Sequence, residues 1–264
     1  MSAQSLAQRY PGYALITGAS SGIGKAFAQH LAKDGVQLVL VARREALLTE
    51  LAAQLRAAHK VDVHIIAIDL TQPDAADQIK AYTDQQHLNV SMVVNNAGYG
   101  DFSLFHEADR QKQIRMVDLN CRAPVALTSA YVPEMVARKN GAVIFVGSTV
   151  SYQPVPLFAT YSATKGFDLY FGEALWGELK PHHVDVITVC PGATDTEFMQ
   201  VANVSANAGN WQAVRPEPVV AETLRKLGQT PSFVYGKMNA LVAQLYRFLP
   251  RRSVVQLAQR FAEG

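Results

Sequence analysis

A single doubly wound α/β domain, built on a parallel sheet of about seven strands with helices on both faces, is the fold this sequence predicts. Three observations predict it. Short runs that are apolar throughout alternate with segments of helical spacing along most of the 264 residues, and strands apolar on both faces require helical cover on both. No Pro/Ser-rich linker or internal repeat breaks the alternation. The composition, 49% hydrophobic and only 17% charged, supplies one sizeable core at a length suited to one large domain.

Residues 13–17, YALIT, are an apolar run that ends in Gly-rich sequence, as a buried strand does. Residues 22–34 change to helical spacing, with Phe27 and Leu31 four apart. VQLVLVA at 36–42 is the second strand, and EALLTELAAQLRAAHK at 45–60 is a helix of strong formers. VDVHIIAID at 61–69 is the third strand, and the segment after Thr71-Gln72-Pro73 reads as a helix with proline in its first turn. SMVVNNAG at 91–98 is the fourth strand. Helical segments at 107–118 and 121–139 lead to strand GAVIFVGS at 141–148. A helix at 155–180, strand VDVITVCPG at 184–192, a helix at 217–228 and the short strand SFVYG at 232–236 complete the main body.

The net charge of +2 provides no field for nucleic acid. Cys121 and Cys190 lie far apart, outside any CxxC pair, and read as free buried thiols of a reducing compartment. The start MSAQSLAQRYPGYALITG lacks the basic, apolar and small-residue regions of a secretory signal. No apolar stretch approaches the ~18 residues of a spanning helix. A soluble, cytoplasmic protein is expected.

The first strand empties into TGASSGIG, residues 17–24, with a helix directly behind it. Gly18 permits the tight turn, Gly22 lets a pyrophosphate approach the backbone, and Gly24 lets helix and strand pack closely. The helix N-terminus then offers free N–H groups to an anion. The spacing is GxxxGxG rather than GxGxxG, and the strand–turn–helix context is what gives it weight. At the end of the second strand stand Arg43 and Arg44 instead of an acid. An acid there would hold a ribose 2′-hydroxyl and repel a 2′-phosphate, whereas a guanidinium binds the phosphate through two parallel charge-assisted bonds. The expected cofactor is NADP(H).

Tyr161 and Lys165, four apart in an apolar helical run, project from neighbouring turns of one face. A nearby ammonium stabilises a phenolate and lowers the ~10 of a free phenol, which makes a proton donor and acceptor for work nearer neutral pH. Ser148 lies thirteen residues before Tyr161, at the carboxyl edge where ligands collect in such sheets.

Together TGASSGIG, Asp69-Leu70, NNAG at 95–98, Asn120, Ser148, Tyr161-Ser162-Ala163-Thr164-Lys165 and Pro191-Gly192 with Thr196 resemble the short-chain dehydrogenase/reductase family, in order and spacing, over residues 13 to about 235. The resemblance implies a Rossmann-type catalytic domain over 1–236 and hydride transfer between a nicotinamide and a carbonyl/alcohol pair. It implies Tyr161 as general acid/base, and Lys165 depressing the phenol and binding the nicotinamide ribose. Ser148 would hold the substrate oxygen, and Asn120 would anchor a water leading from Lys165 to solvent. Cofactor contacts would come from Gly18, Ser20, Ser21, Gly22, Ile23, Gly24, Arg43, Arg44, Asn95, Ala97 and Gly98. Asp69 and Leu70 would border the adenine, and Pro191, Gly192, Thr194 and Thr196 the carboxamide. Thr194 stands where many relatives carry an aliphatic residue, and Thr164 replaces a frequent serine. Homodimers or homotetramers are common among such proteins, through the helices at 121–139 and 155–180.

Rival readings fit less well. Two separated cysteines and seven scattered histidines offer no zinc set, and His182-His183 begin the sixth strand at the surface. VGSTV around Ser148 is no nucleophile elbow. A catalytically silent NADP(H)-binding sensor or scaffold would be expected to lose Tyr161, Lys165 or Ser148, and all three are present.

By the same resemblance, residues 193–215 form a flap over the substrate. Tyr152, Val155, Phe158, Phe198 and Trp211 are candidates for an apolar pocket with Ser148, and no extra Arg or Lys obviously awaits an anion. A hydrophobic carbonyl compound or its alcohol is the expected substrate class. The tail 237–264 is basic and amphipathic, with Leu241, Leu245, Phe248 and Leu249 on one face before Pro250 and Arg247, Arg251, Arg252 and Arg260 beside them. Three readings stand for 238–264: contact with an anionic membrane surface, packing on a partner subunit, or cover for the pocket of its own chain.

Overall fold

Leu15, Ile16, Val39, Leu40, Val93 and Val94 have no solvent exposure, because each strand carries apolar side chains on both faces and both faces are covered. In the computed structural model, which describes residues 4–203 and 213–263, seven parallel strands lie in the order β3-β2-β1-β4-β5-β6-β7. A short helix α1 (Leu6–Arg9) precedes β1 (Tyr13–Thr17), which is followed by α2 (Gly22–Lys33), β2 (Gln37–Ala42), α3 (Glu45–His59), β3 (Val63–Ala67) and α4 (Ala75–Gln85). Then come β4 (Val90–Asn95), α5 (Arg110–Val117), α6 (Ala123–Arg138), β5 (Gly141–Val146), α7 (Ala159–Leu179) and β6 (Val184–Cys190). The chain continues through α8 (Phe198–Val201), α9 (Pro216–Lys226), β7 (Ser232–Val234), α10 (Lys237–Leu245) and α11 (Arg251–Glu263).

The period-2 alternation of a strand sorts its side chains between two layers. Ala14, Ile16, Leu38, Leu40, Met92 and Val94 pack with Phe27 and Leu31 of α2, Leu48 and Leu55 of α3, and Val219 and Val220 of α9. Their neighbours Leu15, Val39, Val41, Val93, Val143 and Phe145 pack with Ile79 of α4, Leu127 and Tyr131 of α6, and Phe171 and Leu175 of α7. The chain reverses direction across the sheet between β1 and β4, and such a switch opens a crevice at the carboxyl ends of those strands.

Five expected strands end early: β3 at Ala67 and β7 at Val234, and, at the crevice, β4 at Asn95, β5 at Val146 and β6 at Cys190. For these last three the reason is local hydrogen bonding. Thr17 Oγ1 accepts from the backbone of Asn96 and Ala97, Ser148 caps a 3₁₀ turn at Thr149–Tyr152, and Thr149 N donates to Pro191 O. Each strand therefore turns outward at the crevice. Pro73 does not sit in the first turn of α4. Asp69 Oδ1 accepts from Thr71 N and Oγ1, and this turn delays the helix to Ala75, with Asp74 as its N-cap. The helices at 107–118 and 121–139 are one continuous rod joined by a π-helical turn at Asp118–Arg122. Single π turns inside helices recur at functional sites, and this one carries Asn120. Cys190 is buried and Cys121 only half-buried; both are free.

The tail is helical, as expected. The inner face of α11 buries Val254, Ala258 and Ala262, while Met238, Leu241 and Leu245 of α10 and Phe248 remain exposed. No helix among the described residues is long and apolar enough to cross a membrane.

Candidate active site

The crevice is a cleft of about 780 Å³ that runs from the Gly-rich turn to Tyr161. Its first wall is built by β1 and α2. A Cβ on Gly24 would stand 2.4 Å from Gly18 O and 2.5 Å from Asn96 Nδ2, so only glycine lets α2 start this close to the strand. Gly18 and Gly22 take positive φ, 66° and 54°. Ser21 is the N-cap of α2 and makes no side-chain capping bond, which leaves the first-turn N–H groups directed at the cleft.

Gly18, Ser20, Ser21, Gly22, Ile23, Arg43, Arg44, Asp69, Leu70, Ala97, Gly98, Ser148, Tyr161, Lys165, Pro191, Gly192, Thr194 and Thr196 all line the cleft. Gly24 lies behind the turn. Asn95 faces the interior instead, donating to Thr128 Oγ1 at 3.0 Å, and its neighbour Asn96 lines the cleft. Arg44 reaches back over the turn: its guanidinium donates to Ser20 Oγ at 3.0 Å and Ser21 Oγ at 2.9 Å. The same group pairs with both carboxylate oxygens of Glu197, at 3.1 and 2.9 Å, which holds that carboxyl below its ordinary range. Arg43 is exposed at the cleft margin.

At the other end α7 presents Tyr161 and Lys165. Lys165 Nζ donates to Val146 O at 2.7 Å and to Asp168 Oδ2 at 2.9 Å. The Tyr161 ring lies between Phe158 and Phe198, with centroids at 5.3 and 5.2 Å, and Phe102 packs edge-on against Phe158 at 5.0 Å. Gly100 lies opposite them, where a Cβ would meet Phe198 Cζ at 2.9 Å and displace that ring. Burial pushes the Tyr161 phenol up; Lys165 and a hydrogen bond with Ser148 pull it back without cancelling the rise. The expectation that Lys165 depresses this phenol below its ordinary value therefore holds for one contribution and fails for the balance.

Asn120 acts here as a clamp. Its Oδ1 accepts from Tyr99 N at 3.2 Å, and its Nδ2 donates to Tyr99 O at 3.0 Å and to Thr164 Oγ1 at 3.0 Å. The π turn thus ties the loop after β4 to the helix of Tyr161. Thr164 serves where serine is frequent because only its hydroxyl is used.

Of the substrate candidates, Ser148, Phe158 and Phe198 line the cleft. Val155 is buried in the same cluster as Phe158 and Tyr161. Tyr152 does not line the cleft; burial beside Cys190, Ser232 and Glu173 raises its phenol. Trp211 lies outside the described residues. Lys112 and Arg115 of α5, with Tyr99, Met199 and Val201, also line the cleft, although the sequence singled out no such cations. Lys112 is paired with Asp101. Ala258 and Ala262 of α11 belong to the Tyr161 cluster, so the tail packs beside the site of its own chain. Among the described residues no group of His, Cys, Asp or Glu could hold a metal ion.

A sheet that gathers a phenol, an ammonium and a Gly-rich turn along one edge suits an oxidoreductase working between carbonyls and alcohols. The family model for short chain dehydrogenase matches residues 12–207, and the chain belongs to that family. It is 33% identical over 258 residues, 92% of this chain and 73% of the relative, to a very-long-chain 3-oxoacyl-CoA reductase of Phaeosphaeria nodorum. A 7beta-hydroxysteroid dehydrogenase of Mediterraneibacter gnavus is 32% identical, covering 89% of each chain. Among solved structures, one of a 7beta-hydroxysteroid dehydrogenase superposes with a TM-score of 0.86 at 26% identity over 97% of this chain and 99% of that one. A short-chain dehydrogenase from Sphingobium yanoikuyae in complex with NADPH gives 0.80 at 30% identity, over 90% and 93%.

Proposed function

We propose that the protein is an NADP(H)-dependent oxidoreductase of bulky hydrophobic carbonyl compounds and their alcohols, with Tyr161 as general acid/base. The observation that carries the reading is the placement of Tyr161 between Phe158 and Phe198, on the same cleft as the Gly-rich turn and two arginines. The cleft suits a dinucleotide: its volume, the uncapped start of α2 and the close backbone allowed by Gly24 all fit one. The nicotinamide, when bound, supplies or accepts the hydride.

The chain's own residues do the rest. The first turn of α2 binds the pyrophosphate, and Arg43 and Arg44 bind a 2′-phosphate, for which Glu197 must yield the Arg44 fork. Lys165 holds the ribose. Ser148 orients the substrate oxygen. Tyr161 gives its proton to that oxygen in reduction and takes it back in oxidation. The Phe158, Phe198 and Phe102 rings exclude water from the phenol and favour an apolar body on the carbonyl. The 3-oxoacyl and steroid relatives share bulky hydrophobic substrates, which supports this class.

Exposed Phe167 and Tyr170 on α7 and Val125 on α6 support self-association as a homodimer or homotetramer. The basic tail supports peripheral contact of 238–264 with anionic lipid as a further reading. A cytoplasmic location agrees with the two free thiols.

The test follows NADPH and NADH consumption over short aldehydes, diketones, 3-oxoacyl thioesters and ketosteroids, with Tyr161→Phe as control. Turnover with NADPH on the bulky members, lost in the variant, is expected. Binding of neither cofactor would overturn the proposal.

A further inference from the structure

We propose that Asp168 is a positioning residue for the Tyr161–Lys165 pair, its carboxylate fixing the Lys165 ammonium in charge and in place beside the phenol. The inference rests on the reading of Tyr161 as acid/base and adds a residue that the motif does not contain.

The helix supplies the geometry. Asp168 follows Lys165 by three residues, so both side chains leave one face of α7. Lys165 Nζ donates to Asp168 Oδ2 at 2.9 Å and to Val146 O at 2.7 Å. An ammonium has three N–H groups, so these bonds leave one to serve the cleft. The direction of that third bond is set by the other two. Burial makes the pairing consequential: the two side chains are only 7% and 5% exposed. An ammonium stripped of water sheds its proton unless an anion faces it, and a neutral amine would no longer favour the phenolate.

The remaining oxygen shows where this carboxylate is directed. Among the described residues Asp168 Oδ1 has no hydrogen-bond partner, although a buried carboxylate retained for the fold alone would be expected to engage several donors. Its recipient is Lys165. Other titratable groups face the Lys165–Asp168 pair: Tyr161 from the same helix, Cys121 from the π turn and Cys190 from β6. Burial raises both thiols, to about 11 and about 12, so near neutral pH neither supplies the anion. Asp168 supplies it.

The test is NMR of [¹³Cε]lysine-labelled protein without added cofactor, with Lys165 assigned through Lys165→Met, in wild type, Asp168→Asn and Asp168→Glu. In wild type and Asp168→Glu the ammonium is expected to persist above the ~10.5 of a free lysine. In Asp168→Asn its midpoint falls by about one unit or more, a tenfold change in the ratio of charged to neutral amine at any given pH. In parallel, the pH profile of kcat for alcohol oxidation changes, with kcat falling about tenfold or more at pH values above the lowered Lys165 midpoint. The NADPH dissociation constant, read by fluorescence, changes by less than about threefold, and Asp168→Glu recovers most of kcat.

An unmoved Lys165 midpoint, or a shifted midpoint with an unmoved kcat profile, would overturn the inference; the latter outcome would leave Asp168 a structural ion-pair partner. If Asp168→Asn does not fold, wild type and Asp168→Glu decide, because a midpoint below that of free lysine in either overturns it. If no substrate is turned over at all, the catalytic reading fails by itself, and the NMR arm still reports whether Asp168 holds the charge.

Discussion

Tyr161 is subject to opposing influences, and their balance fixes how the reaction depends on pH. Desolvation, foremost, and the Asp168 charge favour the neutral phenol; the Lys165 charge and the Ser148 hydrogen bond favour the phenolate; desolvation prevails. In the protein without cofactor the group therefore titrates above its ordinary value. With Tyr161 in its proposed role, alcohol oxidation needs the phenolate, so its kcat is expected to rise with pH across 7–10 without a plateau. Carbonyl reduction needs the protonated phenol and should stay flat over the same range. Initial rates in both directions, on one substrate pair, check this; an oxidation plateau below pH 8 would contradict it. Tyr161→Phe removes the proton while keeping the ring between Phe158 and Phe198. A loss of about 10²–10⁴-fold in kcat is expected, with the NADPH dissociation constant nearly unchanged. The sequence made Tyr161, Lys165 and Ser148 legible because their chemistry depends on residue type and spacing. It did not reveal Asp168, because a carboxylate at that position looks like any helix acid until burial and the 2.9 Å contact with Lys165 are known.

Turns at the carboxyl edge decide how the elements make a cleft. Apolar runs gave the existence and order of the strands, since burial on both faces imposes a pattern that needs no tertiary knowledge. Their ends were less legible: β4 stops where Thr17 of β1 captures backbone groups, β5 where Ser148 caps the turn that follows it, and β6 where Pro191 O accepts from Thr149 after β5. The start of α2 makes the first prediction at this scale. Gly24→Ala forces a Cβ against backbone at Gly18 O, and the helix must move. A cost of about 1–3 kcal/mol is expected, measured as a shift in urea midpoint, together with weaker binding of NADPH and NADH alike. The segment after β6 makes the second. Glu197 grips the fork of Arg44 while the backbone bridge between Thr194 and Val214 draws the loop ends together. Glu197→Gln should tighten NADPH binding severalfold and leave NADH unaffected, because only the 2′-phosphate competes with that carboxylate for the guanidinium. Fluorescence titration with both nucleotides reads the difference, and equal changes for both would refute the competition.

Stability of the whole molecule should be lost from the alkaline side, because its core hides an unusual set of weak acids. Burial raises Cys190 to about 12, Cys121 to about 11 and Tyr131 to about 12, and it raises Tyr10, Tyr152 and Tyr161 as well. In the unfolded chain these groups return to their ordinary values, 9.0 for thiols and 10.0 for phenols. A group whose folded pKa lies above its unfolded one adds stability that is complete below the unfolded value. That stability is lost as pH rises towards the folded value, because the unfolded chain releases its proton first. The loss should begin near pH 9 with the thiols and steepen above pH 10 with the phenols. Cys190 alone, fully buried, would account for about 2–3 kcal/mol by pH 11. Urea midpoints measured from pH 7 to 11 should fall monotonically above pH 9, and Cys190→Ala should flatten the first part of the fall while lowering stability at neutral pH. A midpoint independent of pH across that range would show that water reaches these groups in the folded protein. The same result would undercut the dry environment on which the behaviour of Tyr161 depends.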